Sequence, residues 1–296
     1  MIEVRNLTKR YGRVLAVDDL TFDAQPGRVT GFLGPNGAGK TTTLRVLVAL
    51  LHQTSGEATV LGRRYAELEQ PARQVGAILE ANAFHPGRTG RNHLRTIALA
   101  SGVDQARVDE LLALVDLTAA ANRRVRGYSL GMKQRLALAG ALLGDPRVLV
   151  LDEPANGLDP QGIRWLRDLL RTLADQGRTV LVSSHVLAEV AQLADDVVII
   201  AKGRLIAQAS VEEVLASAHR GTRARSPQRD RLLEALRSAG LDAERFGDDG
   251  VVVDGEAARV GEIAAAQNIV LHELTAESAT LEDVFLELTR GAEQPA

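Results

Sequence analysis

Hydrophobic and polar residues alternate over the first 30 or so positions, between turn signals at Tyr11-Gly12 and Gln25-Pro26-Gly27. This period of two is typical of antiparallel strands with one buried face. From Arg91 to about Thr118 the apolar residues instead recur at helical spacing. The pattern therefore predicts an N-terminal antiparallel β subdomain, followed later in the chain by an all-helical insert at about residues 82–130.

The middle of the chain alternates between apolar segments of strand length and segments with a helical period. Val148–Leu151 is entirely apolar, as expected for a strand that is buried on both faces of a parallel sheet. We predict the following order after it: helix 163–176, strand 179–183, helix 187–193 and strand 196–201. This alternation predicts an α/β core built on a parallel sheet.

The C-terminal part of the chain has an alternation of its own. Residues 218–230 contain four Arg residues together with Ser226 and Pro227 and predict a linker, although a strand near Thr222 to Arg225 also fits this stretch. Residues 231–296 predict a small α+β accessory domain, with helices at 231–239, 257–267 and 281–289 and strands at 250–254 and 269–274. The predicted organisation is a main domain over residues 1–217, the linker, and this accessory domain.

Composition narrows the class of protein. The 296 residues carry a formal net charge of −3, which disfavours broad electrostatic binding to nucleic acid. The chain has no cysteine, so disulfides and thiolate metal sites are excluded and a reducing cytoplasm fits. The first residues do not resemble a signal peptide, and no apolar run has the length of a membrane span. We expect a cytoplasmic protein that reaches a membrane only through a partner.

One stretch carries the chemistry on which the rest depends, Gly34-Pro35-Asn36-Gly37-Ala38-Gly39-Lys40-Thr41-Thr42. It has the spacing of a phosphate-binding P-loop, between a predicted strand at 28–33 and a predicted helix at 43–51. Glycines allow backbone N–H groups to surround phosphate oxygens, and the helix N-terminus adds partial positive charge. Lys40 can reach the β- and γ-phosphates, and the Thr41 hydroxyl can bind Mg²⁺. The predicted ATP-binding residues are Gly34, Asn36, Gly37, Gly39, Lys40, Thr41 and Thr42.

A second motif of phosphate sites follows the apolar strand Val148–Leu151, where Asp152 and Glu153 come in succession. Ligands of open α/β sheets bind at the carboxyl ends of the strands. We predict that Asp152 binds Mg²⁺ through water and that Glu153 polarises the water that attacks the γ-phosphate. Such a segment alone is weak support, and it gains weight from the P-loop in the same predicted domain.

With these motifs, the segment Tyr128–Arg135 makes the chain resemble an ATP-binding cassette (ABC) ATPase. In that family, a signature Ser and Gly at a helix N-terminus contact the γ-phosphate bound by the opposite subunit, and Ser129 and Gly131 match these positions. Leu130 and Met132 replace the usual Gly and Gln of the family. The hydroxyl and the N–H groups of the helix end are retained, so the resemblance still implies anion binding here.

Three more residues have roles implied by the resemblance. Asp159 matches the acidic residue of the family's D-loop, and it also suits a helix cap before Pro160. His185 follows the strand 179–183 and matches the switch histidine that holds the water and Glu153 in line. Tyr11 matches the aromatic residue that stacks on adenine.

Glu80 is the main departure from the family, which usually has Gln at the end of this strand. The family's residue touches Mg²⁺ and joins the helical insert to the core, and a carboxylate can also bind Mg²⁺. Glu80, the variant signature and the C-terminal appendage together resemble the branch of daunorubicin- and bacitracin-type exporters. Residues 279–289 carry most of the resemblance in the appendage. Nearby, Ala83 and Phe84 fit either docking of a partner's helix or packing under the insert.

The resemblance implies an ATPase subunit of a bacterial exporter. Two copies would sandwich two ATP-Mg and drive a separate polytopic permease from the inner face of the cell membrane, with drug, antibiotic or peptide-like cargo. The alternatives are an importer subunit and a soluble ABC ATPase acting on ribosomes or DNA. A single cassette, the lack of sustained heptads and the near-neutral charge disfavour the soluble ATPase, and we expect no nucleic-acid partner.

Overall fold

The computed structural model describes residues 1–79, 84–217, 221–277, 281–282 and 284–285. Two compact units are present: one contains Met1–Val211, and the other lies within Glu212–Leu288. The first unit therefore ends slightly before the predicted domain boundary at residue 217. No helix in the described part of the chain is both long and apolar enough to cross a bilayer.

Most predicted elements are present in the predicted order, but the strands at 204–210 and 243–246 were not predicted, and the strand predicted at 269–274 lies at 273–277. The strands are β1 (Ile2–Tyr11), β2 (Val14–Ala24), β3 (Val29–Leu33), β4 (Ser55–Val60), β5 (Val75–Ile78), β6 (Val148–Asp152), β7 (Thr179–Ser184), β8 (Asp196–Ala201), β9 (Arg204–Ser210), β10 (Gly221–Arg225), β11 (Ala243–Phe246), β12 (Gly250–Asp254) and β13 (Glu273–Glu277). The α-helices are α1 (Lys40–Leu47), α2 (Pro71–Gln74), α3 (Gly90–Ala100), α4 (Ala106–Leu114), α5 (Leu130–Leu142), α6 (Pro160–Asp175), α7 (Leu187–Leu193), α8 (Val211–Ser217), α9 (Arg229–Ser238) and α10 (Ala257–Ala266).

The first unit contains a six-stranded sheet in the order β5-β6-β7-β3-β8-β9. The first five strands are parallel, and β9 pairs antiparallel with β8 at the edge. The chain segments that follow β3, β6 and β7 therefore leave the sheet at the same edge. This confirms the predicted α/β core and places the P-loop, Asp152-Glu153 and His185 at that edge.

The N-terminal β subdomain is a three-stranded antiparallel sheet in the order β2-β1-β4, also as predicted. Its buried face and the parallel sheet share one hydrophobic core, in which the rings of Phe22 and Phe32 stack with centroids 5.0 Å apart. Leu44 and Leu47 of α1 pack into the same core. The helix that begins at the P-loop is thereby anchored to both sheets.

The predicted helical insert contains α3 and α4, which pack against each other and against α5. The Phe84 ring lies edge-on to the His93 ring of α3, with centroids 4.8 Å apart. This contact agrees with packing of Phe84 under the insert. Ala83 lies outside the described residues.

The second unit is a four-stranded antiparallel sheet in the order β11-β12-β10-β13, with α9 and α10 contributing to its core. The order of elements from β10 to β13 is β-α-β-β-α-β, as in ferredoxin-like folds. Strand β10 is hydrogen-bonded on both sides, so the predicted linker at 218–230 is wrong over Gly221–Arg225. Most of the predicted helix 281–289 lies outside the described residues.

Candidate active site

The P-loop geometry depends on a left-handed glycine directly before α1. Gly39 has φ 104°, and a Cβ at this position would lie 2.6 Å from the carbonyl oxygen of Ala16. No other residue would fit both the backbone conformation and the close approach. Helix α1 begins at Lys40, three residues earlier than the sequence pattern predicts, and no side chain caps its N-terminus. The N–H groups of the first helical turn are therefore open towards a ligand.

Lys40 is the buried cation of the loop, with only 7% of its surface exposed. Its Nζ donates hydrogen bonds to the carbonyl oxygens of Gly34 at 2.5 Å and Pro35 at 3.3 Å. Burial lowers the pKa of the Lys40 ammonium from its ordinary value, whereas the charges of Glu153 and Asp152 raise it. A partly desolvated cation on rigid carbonyl groups interacts more strongly with a phosphate than a solvated lysine does.

Asp152 ends β6 and faces two hydroxyl groups from different elements. Thr41 Oγ1 donates to Asp152 Oδ2 at 2.7 Å, and Ser183 Oγ donates to Asp152 Oδ1 at 2.5 Å. The hydroxyl of the P-loop helix and the carboxylate of β6 are thus brought together, as predicted from the two motifs. Ser183 was not predicted, although it is a fully buried hydroxyl that interrupts the apolar pattern of β7.

Glu153 has a strained backbone, with φ 51°. For a residue other than Gly, Asn or Asp this left-handed conformation is rare and persists only where the surroundings enforce it. Here the Glu153 N–H donates to Ser183 Oγ at 3.0 Å and to the Ser183 carbonyl at 3.2 Å. The Glu153 carbonyl accepts from the Gln134 side chain at 3.0 Å and from the Asn156 N–H at 3.2 Å.

His185 follows β7 and contacts the Glu153 side chain directly. Its Nδ1 lies 2.8 Å from Glu153 Oε2, and 46% of the His185 side chain is exposed. Glu189, in the first turn of α7, interacts electrostatically with both residues of this pair. Burial raises the pKa of the Glu189 carboxyl, the charge of Glu153 raises it further, and the charge of His185 lowers it.

These groups surround a cleft of about 340 Å³. The predicted residues that line it are Asn36, Gly37, Gly39, Lys40, Thr41, Thr42, Glu153 and His185. Ala16 and Asn156 also line the cleft and were not predicted as site residues. The remaining predicted residues of the described chain, which are Tyr11, Gly34, Ser129, Gly131, Asp152 and Asp159, are not part of this lining. Glu80 lies outside the described residues.

The signature segment forms the N-terminus of α5. Ser129 is the N-cap residue, and its hydroxyl accepts a hydrogen bond from the Met132 N–H at 3.2 Å. Leu130 packs on Gly157, where a Cβ would lie 2.2 Å from Leu130 Cδ2. Gly157 has φ 78°, so both the backbone and the Leu130 side chain require glycine there.

Asp159 and Tyr11 occupy positions with evident local roles. Asp159 is the N-cap of α6 and accepts from the Gly162 N–H at 2.7 Å, with Pro160 as the first helical residue. Tyr11 ends β1, is 43% exposed, and has the ammonium of Lys9 4.9 Å from its ring centroid. The helix-capping interpretation of Asp159 is thereby confirmed, and the adenine-stacking role of Tyr11 stays a prediction.

Comparisons with known proteins agree with this geometry. Residues 17–156 match the family described as ABC transporter, and residues 220–282 match a family described as a domain of unknown function. The uncharacterized ABC transporter ATP-binding protein YhcH of Bacillus subtilis is 37% identical over 292 residues, 98% of this chain and 96% of that protein. The bacitracin transport ATP-binding protein BcrA of Bacillus licheniformis is 34% identical over 305 residues, 98% of each chain.

A solved structure, described as the ATP-binding subunit of an ABC transporter, has a TM-score of 0.67 and 29% identity to this chain. It covers 73% of this chain, which in turn covers 92% of that structure. The full-length similarity to YhcH and BcrA extends this relationship through the second unit. With its P-loop, its Asp152-Glu153 pair and these relatives, the chain belongs to the ATP-binding proteins of ABC transporters and is an ATPase.

Proposed function

We propose that this protein is the ATPase subunit of a bacterial exporter for antibiotic or peptide-like cargo, and that two copies close around two ATP molecules. A separate polytopic permease would carry the cargo, with the ATPase bound to its cytoplasmic side. The bacitracin transport protein BcrA, similar over 98% of the chain, supports the cargo class over an importer or a ribosome- or DNA-directed ATPase.

One observation supports the two-chain site above all. The cleft is lined by the P-loop and by Glu153 and His185, whereas Ser129 and Gly131 lie outside this lining. The chain thus holds both kinds of phosphate-binding helix end without joining them in one cleft. A second copy, related by two-fold symmetry, would supply its α5 N-terminus to this cleft and receive the equivalent group in return.

The donor set near the P-loop fits Mg²⁺. The Thr41 hydroxyl and the Asp152 carboxylate are adjacent oxygen ligands, and Ser183 holds the second carboxylate oxygen. Mg²⁺ prefers oxygen ligands and is commonly bound by one or two protein groups together with substrate phosphates and water. When bound, the ion would neutralise charge on the β- and γ-phosphates. Glu80, the third ligand predicted from the sequence, remains a proposal.

The side chains have distinct roles in hydrolysis of ATP to ADP and phosphate. Lys40 and the open N–H groups of α1 bind the phosphate oxygens. Glu153 accepts the proton of the attacking water, and His185 orients the Glu153 carboxylate through the 2.8 Å contact. The signature end of the partner subunit would contact the γ-phosphate and exclude water. Because the γ-phosphate bonds both chains only when they are closed, its loss favours opening.

Replacement of Glu153 by Gln tests the proposal. Glu153→Gln retains the shape of the side chain but lacks the proton acceptor, so turnover should fall by about 100-fold or more. ATP binding should persist, and the nucleotide should hold two chains together. We expect light scattering to show a dimer with ATP-Mg and a monomer without nucleotide.

Glu262→Gln, an exposed substitution in the second unit, is the matched control and should hydrolyse ATP like the unchanged protein. A Glu153→Gln chain that binds ATP-Mg and remains monomeric would contradict the sandwich. For the transport role, the protein should co-purify with a membrane protein of several spans. Co-purification with ribosomes, and never with membranes, would contradict the exporter assignment.

A further inference from the structure

Gln134 connects the signature helix to Glu153 within one chain. It lies one helical turn beyond Leu130 in α5 and is 4% exposed. Its Nε2 donates to the Glu153 carbonyl at 3.0 Å. Its Oε1 is buried and has no hydrogen-bond partner in the described part of the chain.

A half-satisfied buried amide is costly for stability, since an unpaired acceptor loses its interaction with water. A methionine or leucine could fill the same space without that cost. The structure therefore gives no packing reason for an amide at this position. Within the described residues, the Gln134 side chain makes one hydrogen bond, and that bond ends on the strained residue Glu153.

The Glu153 backbone is held by groups from three elements. Ser183 of β7 accepts from its N–H, and Asn156 of the following loop donates to its carbonyl. Gln134 provides the contact from α5. Left-handed backbone at this position persists only under such constraints. A shift of α5 would therefore alter the hydrogen bonding that holds the Glu153 backbone, and with it the position of the Glu153 carboxylate.

The same face of α5 makes a second contact with the loop after Glu153. Leu130 and Gln134 are four residues apart and so lie on one side of the helix. Leu130 packs on Gly157, while Gln134 bonds to Glu153. Helix α5 is continuous from Leu130 to Leu142, so its N-terminus and Gln134 move together.

We infer that Gln134 is a positioning residue that couples the signature end of α5 to the Glu153 carboxylate of the same chain. The inference rests on the proposed two-chain site. In that site, Ser129 and Gly131 contact the ATP held by the partner, while Glu153 serves the ATP held by its own P-loop. Gln134 thus links the occupancy of one ATP site to the alignment of the base in the other.

The test replaces Gln134 with Met, which has similar length and forms no comparable hydrogen bond. We expect kcat for ATP hydrolysis to fall by about 10-fold, as for loss of one positioning contact, with KM for ATP unchanged. The Hill coefficient for ATP should fall towards 1. The melting temperature should stay equal or rise, because the unpaired acceptor is removed.

Gln105→Met, an exposed substitution in the same unit, is the matched control and should leave all four quantities unchanged. Gln134→Leu, a second apolar substitution without a hydrogen-bond donor, should reproduce the loss in kcat. A purely structural role predicts the reverse pattern: a lower melting temperature with normal kcat and Hill coefficient per folded molecule. That pattern in either folded variant would overturn the inference.

The two proposals fail in distinguishable ways. In a Glu153→Gln background, Gln134→Met should still form the ATP-dependent dimer, since ground-state closure does not need the aligned base. If Glu153→Gln alone stays monomeric with bound ATP, the two-chain site itself is refuted and the coupling with it. If the dimer forms and Gln134→Met retains full kcat and cooperativity, only the role of Gln134 is refuted.

Discussion

The P-loop and the signature segment are both helix N-termini suited to phosphate, but they differ in how their N–H groups are satisfied. At α1 the residue before the helix is the left-handed Gly39, and no side chain accepts from the first turn. At α5 the Ser129 hydroxyl already accepts from the Met132 N–H. The P-loop end is therefore an open anion site in the single chain, whereas the signature end is self-capped. From this difference we expect ATP to bind first at α1, and α5 to contribute only to a nucleotide already in place.

The largest effect should come from the open end. Lys40→Ala removes the buried cation, so ATP affinity should fall by roughly 10- to 100-fold and turnover should become undetectable. Titration calorimetry and phosphate release measure the two quantities. Lys202→Ala, at an exposed lysine, is the control and should bind and hydrolyse ATP normally. Normal ATPase activity in Lys40→Ala would refute the P-loop assignment.

An intermediate effect should come from the self-capped end. Ser129→Ala should leave ATP binding by the single chain unchanged, while hydrolysis falls by about 10-fold because one contact to the partner's γ-phosphate is lost. The substitution also removes a helix cap, which costs about 1 kcal/mol of stability. Thr89→Ala removes the equivalent cap of α3 and separates the two effects.

Both cap variants should therefore melt at lower temperature, but only Ser129→Ala should impair turnover and dimer formation with ATP-Mg. Equal turnover in the two variants would show that the signature end contributes stability alone. Weaker ATP binding by monomeric Ser129→Ala would contradict the assignment of the α5 end to the partner's ATP, since it would place that end in the cleft of its own chain.

The smallest effect should come from Glu189, whose carboxyl interacts electrostatically with Glu153 and His185. Burial and the charge of Glu153 raise the pKa of Glu189, so its carboxyl binds a proton more tightly in the folded state than in the unfolded state. Its contribution to stability is present at low pH and is lost as the pH rises through that raised pKa. Glu189→Gln should raise the free energy of unfolding at neutral pH by at most about 0.5 kcal/mol, since the group is partly solvated.

Denaturant unfolding at several pH values measures this difference, which should shrink as the solution is acidified. Glu234→Gln, an exposed substitution of the same kind, should show no such pH dependence. A difference between Glu189→Gln and the unchanged protein that grows on acidification would contradict the assigned direction of the pKa shift.

Residues at strand ends were the easiest part of the site to predict. An apolar strand followed by Asp152-Glu153, and another followed by His185, must bring these side chains to one edge of a parallel sheet. The structure places His185 Nδ1 2.8 Å from Glu153 Oε2. The chemical roles of these residues remain predictions, because position alone does not identify a base or a metal ligand.

Other features depend on tertiary contacts that a linear pattern does not reveal. Gln134 lies in a helix whose sequence is apolar on several sides, and only the fold shows that its amide meets the Glu153 carbonyl. Strand β9 was missed because its side chains are only partly buried, so the alternation is weak. Strand β10 was assigned mainly to a linker because Arg is frequent there and Ser226-Pro227 follows directly, whereas pairing on both sides determines its conformation.

The position of β10 also has a consequence for biosynthesis. This strand is the first of the second unit to be made, yet it is central in the sheet and pairs with β13, the last strand that the structure describes. Gly221 is opposite Glu277, so the sheet cannot be completed until nearly the whole unit has left the ribosome. A nascent chain stalled after β12 would present one unpaired side of β10, an aggregation-prone edge. Truncation before residue 273 should therefore make the whole second unit a target for proteolysis.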